Sequence, residues 1–338
     1  MRGMTIARVA AEAGVGVGTV SRVLNGSPSV SEDTRRRVLE AIATLDYQPS
    51  AVARALSTGR THAVGVVAPF FTRPSVIERL RGVSRTLAGE EWQLILFDVE
   101  RAAQRREAFR SLAVRGRIDG ILSISLSPTD REAGRLEATG VPIVLLDRAH
   151  DRLPSITIDD VEGGRMAAEH LIGLGHERLA FLGDEEGNEF GFGSSAQRRD
   201  GFEAAVAAAG LELPPERIIR RPHSREAARD GATELLAGDD PPTAIFATSD
   251  VQAIGVLEAA QAAGVAIPEQ LSVIGFDDVE AAGYTGLTTV SQPLEESGAL
   301  GARLLLRALA GGDVESRRLP LAIVERATTG PPGLVIRG

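Results

Sequence analysis

The 338-residue chain has no cysteine. That excludes disulfides, thiolate metal sites and cysteine nucleophiles. Lysine is absent too, and all 37 basic residues are arginine, a bias that fits genome composition or a hot habitat equally well. No run of about eighteen apolar residues occurs, so no membrane span is expected. The N-terminus lacks the apolar core of a signal peptide, and a cytoplasmic location is the simplest expectation. There is no Gly-x-Ser-x-Gly elbow, no phosphate loop and no histidine set at metal-ligand spacing. Gly14-x-Gly16-x-Gly18 lacks both the preceding strand and the later spacing of a dinucleotide motif. No catalytic residue, metal or cofactor is therefore assigned, and an enzyme on an α/β scaffold is the weaker reading.

What remains is an ordinary globular balance, 43% hydrophobic and 25% charged, long enough for two or three domains. The net charge is −9. Residues 1–60 hold eight arginines against five acids, so the head is about +3 and the rest about −12. A basic head on an acidic body suits a DNA reader fused to something that is not one.

The head reads as a helix-turn-helix. Thr5 stands before the run Ile6 to Ala13 as a candidate N-cap, and Ile6, Val9, Ala10 and Ala13 share a face. After Gly14-Val15-Gly16, a second helix is expected over Val17 to Leu24. Val20, Val23 and Leu24 turn inward, and Val17, Gly18, Ser21 and Arg22 turn outward. Ser31 caps a third helix that opens with acids, and Val38, Leu39, Ile42 and Leu45 supply its core face. Pro49 and Gly59 then bracket a short helical linker, too short to be stable alone.

From Ala63 the pattern changes. Apolar runs at Ala63–Ala68, Trp92–Phe97, Gly120–Ile124 and Pro142–Leu146 alternate with helical stretches at Ser75–Leu87 and Gln104–Val114. A second series follows. Its strands are expected at Arg178–Gly183, Ile218–Ile219, Ala244–Ala247 and Leu271–Phe276, and its helices at Val161–Leu174, Gln197–Ala209, Arg225–Leu236 and Val251–Ala263. A last helix spans Gln292–Ala310. Two such series imply two α/β lobes of parallel sheets flanked by helices. Ligands in such folds sit beyond the carboxyl ends of strands. Asp147-Arg148, Asp184, Ser249-Asp250 and Asp277-Asp278 occupy such ends, and Asp250 is also placed as a helix N-cap.

Thr5-Ile6, Val9-Ala10, Thr19-Val20-Ser21-Arg22-Val23-Leu24-Asn25, Val30-Ser31, Thr34-Arg35, Tyr47-x-Pro49 and Ala53-x-x-Leu56 resemble the head of the lactose-repressor (LacI/GalR) family. Asp119-Gly120-Ile121, Arg198-x-x-Gly201-Phe202, Ala244 to Asp250, Ile267 to Asp278 and Leu287 to Pro293 extend the resemblance over nearly the whole chain. It implies a two-lobed body like that of periplasmic sugar receptors, and a dimeric repressor that reads a near-palindromic operator on double-stranded DNA. It also implies a small effector held between the lobes, sugar-like by preference, with a purine or nucleoside as the alternative. Val17 and Gly18 match base-discriminating positions, Arg22 a groove-facing arginine, and Leu56 a leucine that wedges the minor groove. Gly16 and Gly18 depart from the family, which more often carries side chains there. Thr5, Ile6, Thr19, Ser21, Asn25, Ser31, Thr34 and Ala53 complete the expected DNA set. Arg198 and Asp277 match residues that grip the effector. Phe70, Arg73, Ser75, Asp147, His223, Ser249 and Gln292 are expected around it, with Ser249 replacing a usual asparagine.

The expected division is a head over residues 1–48 and a hinge and linker over 49–60. A first lobe takes 61–160 and 291–318, and a second takes 161–290 and 319–338. The third alternative, a transport receptor that only carries sugar, has no use for residues 1–60. No terminal leucine heptad is seen, so a homodimer is expected rather than a tetramer.

Overall fold

The computed structural model describes residues 5–24, 27–47, 60–88, 92–114 and 116–333. The head holds α1 (Ile6–Glu12), α2 (Val17–Leu24) and α3 (Glu32–Thr44). Gly14, with φ +64°, ends the first helix in the left-handed region that favours glycine. Val9, Ala10, Ala13, Val20, Val23, Val38, Ala41 and Tyr47 form the small core. Two expectations fail here. Thr5 has N-cap backbone geometry, but its side chain makes no cap hydrogen bond. Leu39 is 51% exposed and Ala41 is buried in its stead. A helix turns about 100° per residue, so the residue after the inward Val38 swings off the core face. Ser31 does cap α3, accepting from the Thr34 amide at 3.4 Å.

The body contains two six-stranded sheets. The first is built from β1 (Ala63–Pro69), β2 (Gln93–Val99), β3 (Gly120–Ile124), β4 (Ile143–Leu146), β5 (Ser155–Thr157) and β11 (Arg317–Arg318). Its order is β11-β5-β4-β3-β1-β2, with every pairing parallel. The second contains β6 (Leu179–Asp184), β7 (Ile218–Arg221), β8 (Ala244–Ala247), β9 (Ser272–Asp277), β10 (Thr288–Ser291) and β12 (Ala322–Val324). It runs β12-β10-β9-β8-β6-β7, and only the β10–β12 pair is antiparallel. The inner strands are apolar throughout because helices cover both faces. β1, β3, β4 and β8 are buried along their whole length.

The covering helices are α4 (Pro74–Leu87), α5 (Ala102–Leu112), α6 (Asp130–Thr139), α7 (Asp160–Gly173), α8 (Ser194–Ala208), α9 (Arg225–Leu236), α10 (Asp250–Ala263), α11 (Glu280–Thr285) and α12 (Leu294–Leu309). Ala302 and Leu305 of α12 enter the first sheet's core, although the chain reaches α12 from the second sheet. α6 was not foreseen, despite its full capping box, Thr129 with Glu132, and its left-handed Gly140 stop. The short β5, α11, β11 and β12 carried too few residues for a periodic signal. Trp92 lies before its strand, which instead runs on to Val99.

Each sheet reverses strand order once, between β1 and β3 in the first and between β6 and β8 in the second. Those reversals open crevices at the carboxyl ends of the strands, where open α/β sheets hold ligands.

Candidate functional site

The site begins with two helix pairs. In the first lobe, α4 and α12 approach so closely that a Cβ on Gly298 would lie 1.9 Å from the Arg79 carbonyl oxygen. A Cβ on Gly82 would lie 1.9 Å from that of Glu295. In the second lobe, α7 and α8 repeat the arrangement. A Cβ on Gly164 would lie 1.8 Å from the Arg198 carbonyl oxygen, and one on Gly201 1.8 Å from that of Val161. Each pair thus fixes one arginine, Arg79 or Arg198, near the cleft. Both are almost fully buried, at 3% and 6% exposure.

A polar network joins them. The Ser125 hydroxyl donates to Asp147 at 2.7 Å, and Arg79 Nη2 donates to Asp147 at 2.8 Å. Arg79 Nη2 also donates to Gln292 Oε1 at 2.9 Å, and Gln292 Nε2 donates to Asp277 at 2.5 Å. Gln292 sits on the strand-to-α12 crossover, so one side chain links an arginine of the first lobe to a carboxylate of the second. Arg198 Nε donates to Asp160 at 2.8 Å and its Nη1 to the Thr248 carbonyl at 2.6 Å. Its guanidinium lies 3.5 Å over the Phe276 ring centroid and 3.9 Å from Asp277. Beside this, His223 Nδ1 and Gln252 Nε2 both reach Asp184 Oδ1, at 2.9 and 3.0 Å.

The backbone at the strand ends is shaped for this cluster. Phe70, Ser125, Asp147, Asp277 and Asp278 all have positive φ and all end or follow a strand. Such conformations cost about 1–3 kcal/mol each and collect at ligand sites. Ser125, Asp147 and Asp277 line the crevice, whereas Asp278 accepts from Arg326 at 2.6 Å.

Electrostatics differ from one acid to the next. Burial works to raise Asp147, but Arg79, the Ser125 hydroxyl and Arg198 outweigh it and hold its pKa below the usual value. Burial opposes Asp184 too, yet the His223 hydrogen bond and charge, with Arg198 and Arg73, bring it down. At Asp277 burial prevails over Arg198 and Gln292, and the pKa rises. Asp250 is pushed up to about 8 by burial and by the nearby Asp277 charge. Arg198 stays firmly protonated, because Asp160, Asp277 and Asp147 offset the cost of its burial. Among the described residues, one buried side-chain donor, Arg79 Nε, has no protein partner.

The cavity these groups enclose measures about 80 Å³. Of the expected effector residues, Arg73, Ser75, Asp147 and Arg198 line it, as do His223, Ser249, Asp277 and Gln292. Phe70 does not. It lines an outer cavity that shares Arg73 and His223. Asp250 is corrected: Ser249, not Asp250, is the N-cap of α10, accepting from the Gln252 amide at 3.3 Å. Asp250 is wholly buried and accepts from the Val279 amide and the Thr289 hydroxyl at 2.8 and 2.6 Å. Arg79, Ser125, Asp160 and Thr248 were not foreseen. Arg79 had a signal, a lone charge on the apolar stripe Val76-Arg79-Val83.

In the head, Val17 is 45% exposed, Gly18 and Arg22 are exposed, and Thr19 and Ser21 are partly exposed. A Cβ on Gly16 or Gly18 would meet nothing within 4 Å. Arg22 lies back on its own helix, donating to the Gly18 carbonyl at 3.2 Å and the Thr19 hydroxyl at 3.4 Å. Ile6 packs partly against the head core. Thr5 and Ser31 are exposed and Thr34 partly so, its hydroxyl accepting from Ser31 at 3.0 Å. Asn25, Ala53 and Leu56, with the expected hinge, lie outside the described residues.

Comparison with known proteins matches both parts. Residues 5–50 fit the model of bacterial regulatory proteins of the lacI family, and residues 168–329 that of a periplasmic binding protein-like domain. Catabolite control protein A of Priestia megaterium is 32% identical over 332 residues, 96% of this chain and 99% of the relative. The HTH-type transcriptional repressor PurR of Erwinia tasmaniensis is 32% identical over 330 residues, covering 95% and 96%. The lac repressor dimer bound to operator and the anti-inducer ONPF superposes with a TM-score of 0.83 at 26% identity, covering 97% and 100%. A complex of the transcriptional regulator CelR with cellobiose gives 0.70 at 30% identity, covering 96% and 100%.

Proposed function

The chain belongs to the LacI family of bacterial regulatory proteins and is a transcriptional regulator, not an enzyme; from that premise we propose a cytoplasmic homodimeric repressor whose grip on operator DNA is set by a sugar bound between its lobes. The observation that carries this is the polar network Asp147–Arg79–Gln292–Asp277–Arg198, which spans both lobes. Carboxylates accept from sugar hydroxyls and guanidinium groups donate in a planar fork. A hydroxyl aimed at Arg79 Nε would satisfy the one buried side-chain donor left without a partner among the described residues. A sugar is favoured over a purine because ionic groups outnumber aromatic faces in the wall.

Two heads are needed to read a two-fold operator. The edge strand β2 exposes Leu94 and Ile95, and α4 exposes Ile77. These apolar residues, two on the edge strand and one on the helix, supply the self-complementary face of the dimer. The lobes divide at the chain's crossings near residues 160, 290 and 318.

On DNA, Val17 and Gly18 set base preference and Arg22 swings from its own helix to the groove. Thr5, Thr19, Ser21, Asn25, Ser31 and Thr34 hold the backbone, and Ala53 and Leu56 act in the minor groove. Gly18 lies in open space, so Gly18→Gln leaves the fold intact. Its selected binding sites shift at symmetric half-site positions by about 1–3 kcal/mol each. An unchanged site preference removes Gly18 from base reading. A thermal-shift screen of the full chain against sugars, nucleosides and purines tests the effector class, since a true ligand raises the melting temperature by mass action. Stabilisation by purines alone would replace the sugar reading.

A further inference from the structure

The inner cavity, about 80 Å³, is small for anything larger than one sugar ring, and it is not closed at its mouth. It opens into a second cavity of about 320 Å³, the two sharing Arg73, Asp184, Phe192 and His223. Together they fall within the usual volume range of small-molecule sites.

The wall of the outer cavity is the segment between β6 and α8, residues 185–193, and it is a built structure. Asn188 organises it, accepting from the Phe190 and Phe192 amides at 3.2 and 2.9 Å and donating to the Phe192 carbonyl at 3.1 Å. Although it belongs to the second sheet, the segment is anchored on the first lobe. Glu189 accepts from the Ala102 amide at 2.9 Å, at the start of α5, where Arg101 provides no side-chain cap. Phe190 and Phe192 pack against the first lobe's core. They stack at 5.3 Å, and Phe190 meets Phe70 edge-on at 5.7 Å, with Arg73 4.3 Å over the Phe70 ring.

The outer cavity therefore has aromatic surface on one side and acceptors on the other. Asp184, Glu185, Glu186 and Glu189 line it, against the single guanidinium of Arg73 and the His223 imidazole. That charge balance repels phosphates and carboxylates. Aromatic faces suit the apolar faces of sugar rings, and carboxylates suit their hydroxyls.

We propose that the outer cavity is a second sugar subsite, so that the effector is an uncharged di- or oligosaccharide. Its inner ring lies among Arg79, Asp147, Arg198 and Asp277, and its next ring lies against Phe70, Phe190 and Phe192. This rests on the effector reading above and narrows it. Because the same segment spans both lobes, the outer ring also strengthens the contact that holds them together.

Isothermal titration of the full chain separates the two. D-glucose, D-galactose, D-mannose and D-xylose are each compared with neutral disaccharides that contain them, and with glucose 6-phosphate. At least one disaccharide binds tighter than both its component sugars by about tenfold or more. Phe190→Ala, which removes aromatic surface, and Glu185→Trp, which fills the cavity from an exposed position, each bring that disaccharide down to the affinity of its inner sugar. Glu185→Trp keeps the test valid if Phe190→Ala loosens the fold. Monosaccharides binding as tightly as every disaccharide would overturn the subsite while leaving the effector reading standing. So would a disaccharide preference that survives Glu185→Trp, or glucose 6-phosphate binding tighter than glucose. No binding of any neutral sugar would overturn both.

Discussion

The two lobes solve one problem twice. Each holds a permanently charged side chain in a crevice, and each seats that arginine on a helix that a neighbouring helix touches through glycine. Arg79 with Gly82 meets Gly298, and Arg198 with Gly201 meets Gly164. The lobes differ in what surrounds the guanidinium. Arg79 has one carboxylate, Asp147, and the neutral Gln292, and keeps a donor unpaired. Arg198 has Asp160 and Asp277, a carbonyl and an aromatic face. The first lobe thus offers donor capacity to a ligand, and the second offers acceptors already fixed in place.

The largest expected effect comes from removing either arginine. Arg198→Met leaves Asp160 and Asp277 without their cation, and Arg79→Met leaves Asp147. Breaking a buried pair costs about 3–5 kcal/mol, and the second lobe suffers more because two carboxylates lean on Arg198. Urea unfolding of both variants checks the order. Equal losses would mean that the surroundings do not distinguish the two arginines.

That symmetry was half legible. Arg198-x-x-Gly201-Phe202 stood out by resemblance. Arg79-x-x-Gly82-Val83 carries the same pattern and passed unread, because nothing but its place on an apolar stripe marked it. The alternating strands were legible from their apolar runs, since burial on both faces writes itself into composition. Asp250 was misread because a helix start with Ser249-Asp250 offers two capping candidates, and only the fold shows which hydroxyl or carboxylate reaches the amide. Positive φ at Asp147 and Asp277 leaves no trace in sequence at all. In the head, the amphipathic faces were readable except at Leu39, which took the place on the stripe that the smaller Ala41 fills.

Next in size, Gly298→Ala and Gly164→Ala each force a methyl group onto an arginine carbonyl. Overpacking of this kind costs about 1–3 kcal/mol or more. Similar losses in the two lobes, read as midpoint shifts in urea, are expected if the helix pairs are equivalent. A cheap Gly298→Ala would show that α12 yields where α7 does not.

The lobes also differ in pH response. Asp250, in the second lobe, has a folded pKa of about 8 against an ordinary 3.8, so the native chain keeps a proton that the unfolded chain has lost. Stability from this group is complete below the ordinary value and falls as pH rises towards 8, by up to about 1.4 kcal/mol per unit. Asp147, in the first lobe, has a depressed pKa and works in the opposite sense. Its contribution is present above the ordinary aspartate value and is lost as pH falls through the folded one. Asp250→Asn flattens the alkaline limb of a stability–pH curve and leaves the acid limb. A limb that persists in the variant assigns it to another group, Asp277 first.

The smallest effects lie at helix starts. Thr129→Ala removes the α6 capping box of the first lobe, and Ser224→Ala removes the α9 cap of the second, where Ser224 accepts from the Ala227 amide at 3.1 Å. Each loses about 1 kcal/mol by thermal or chemical unfolding. Thr129→Ala loses more, because the Thr129 hydroxyl both accepts from the Glu132 amide at 3.3 Å and donates to the Glu132 carboxylate at 3.0 Å. The reverse order would count against the box contributing to stability.

The proposed regulation requires a coupling between cleft and head. The direct test is a closed cycle on one preparation of the full chain: operator affinity with and without a bound sugar, and sugar affinity with and without operator. Linkage requires the two ratios to be equal, and coupling of the usual size makes each about 5–150-fold. Equal ratios in that range confirm that the lobes govern the head. A sugar that binds the cleft, is lost in Asp277→Ala, and leaves operator affinity unchanged would contradict it.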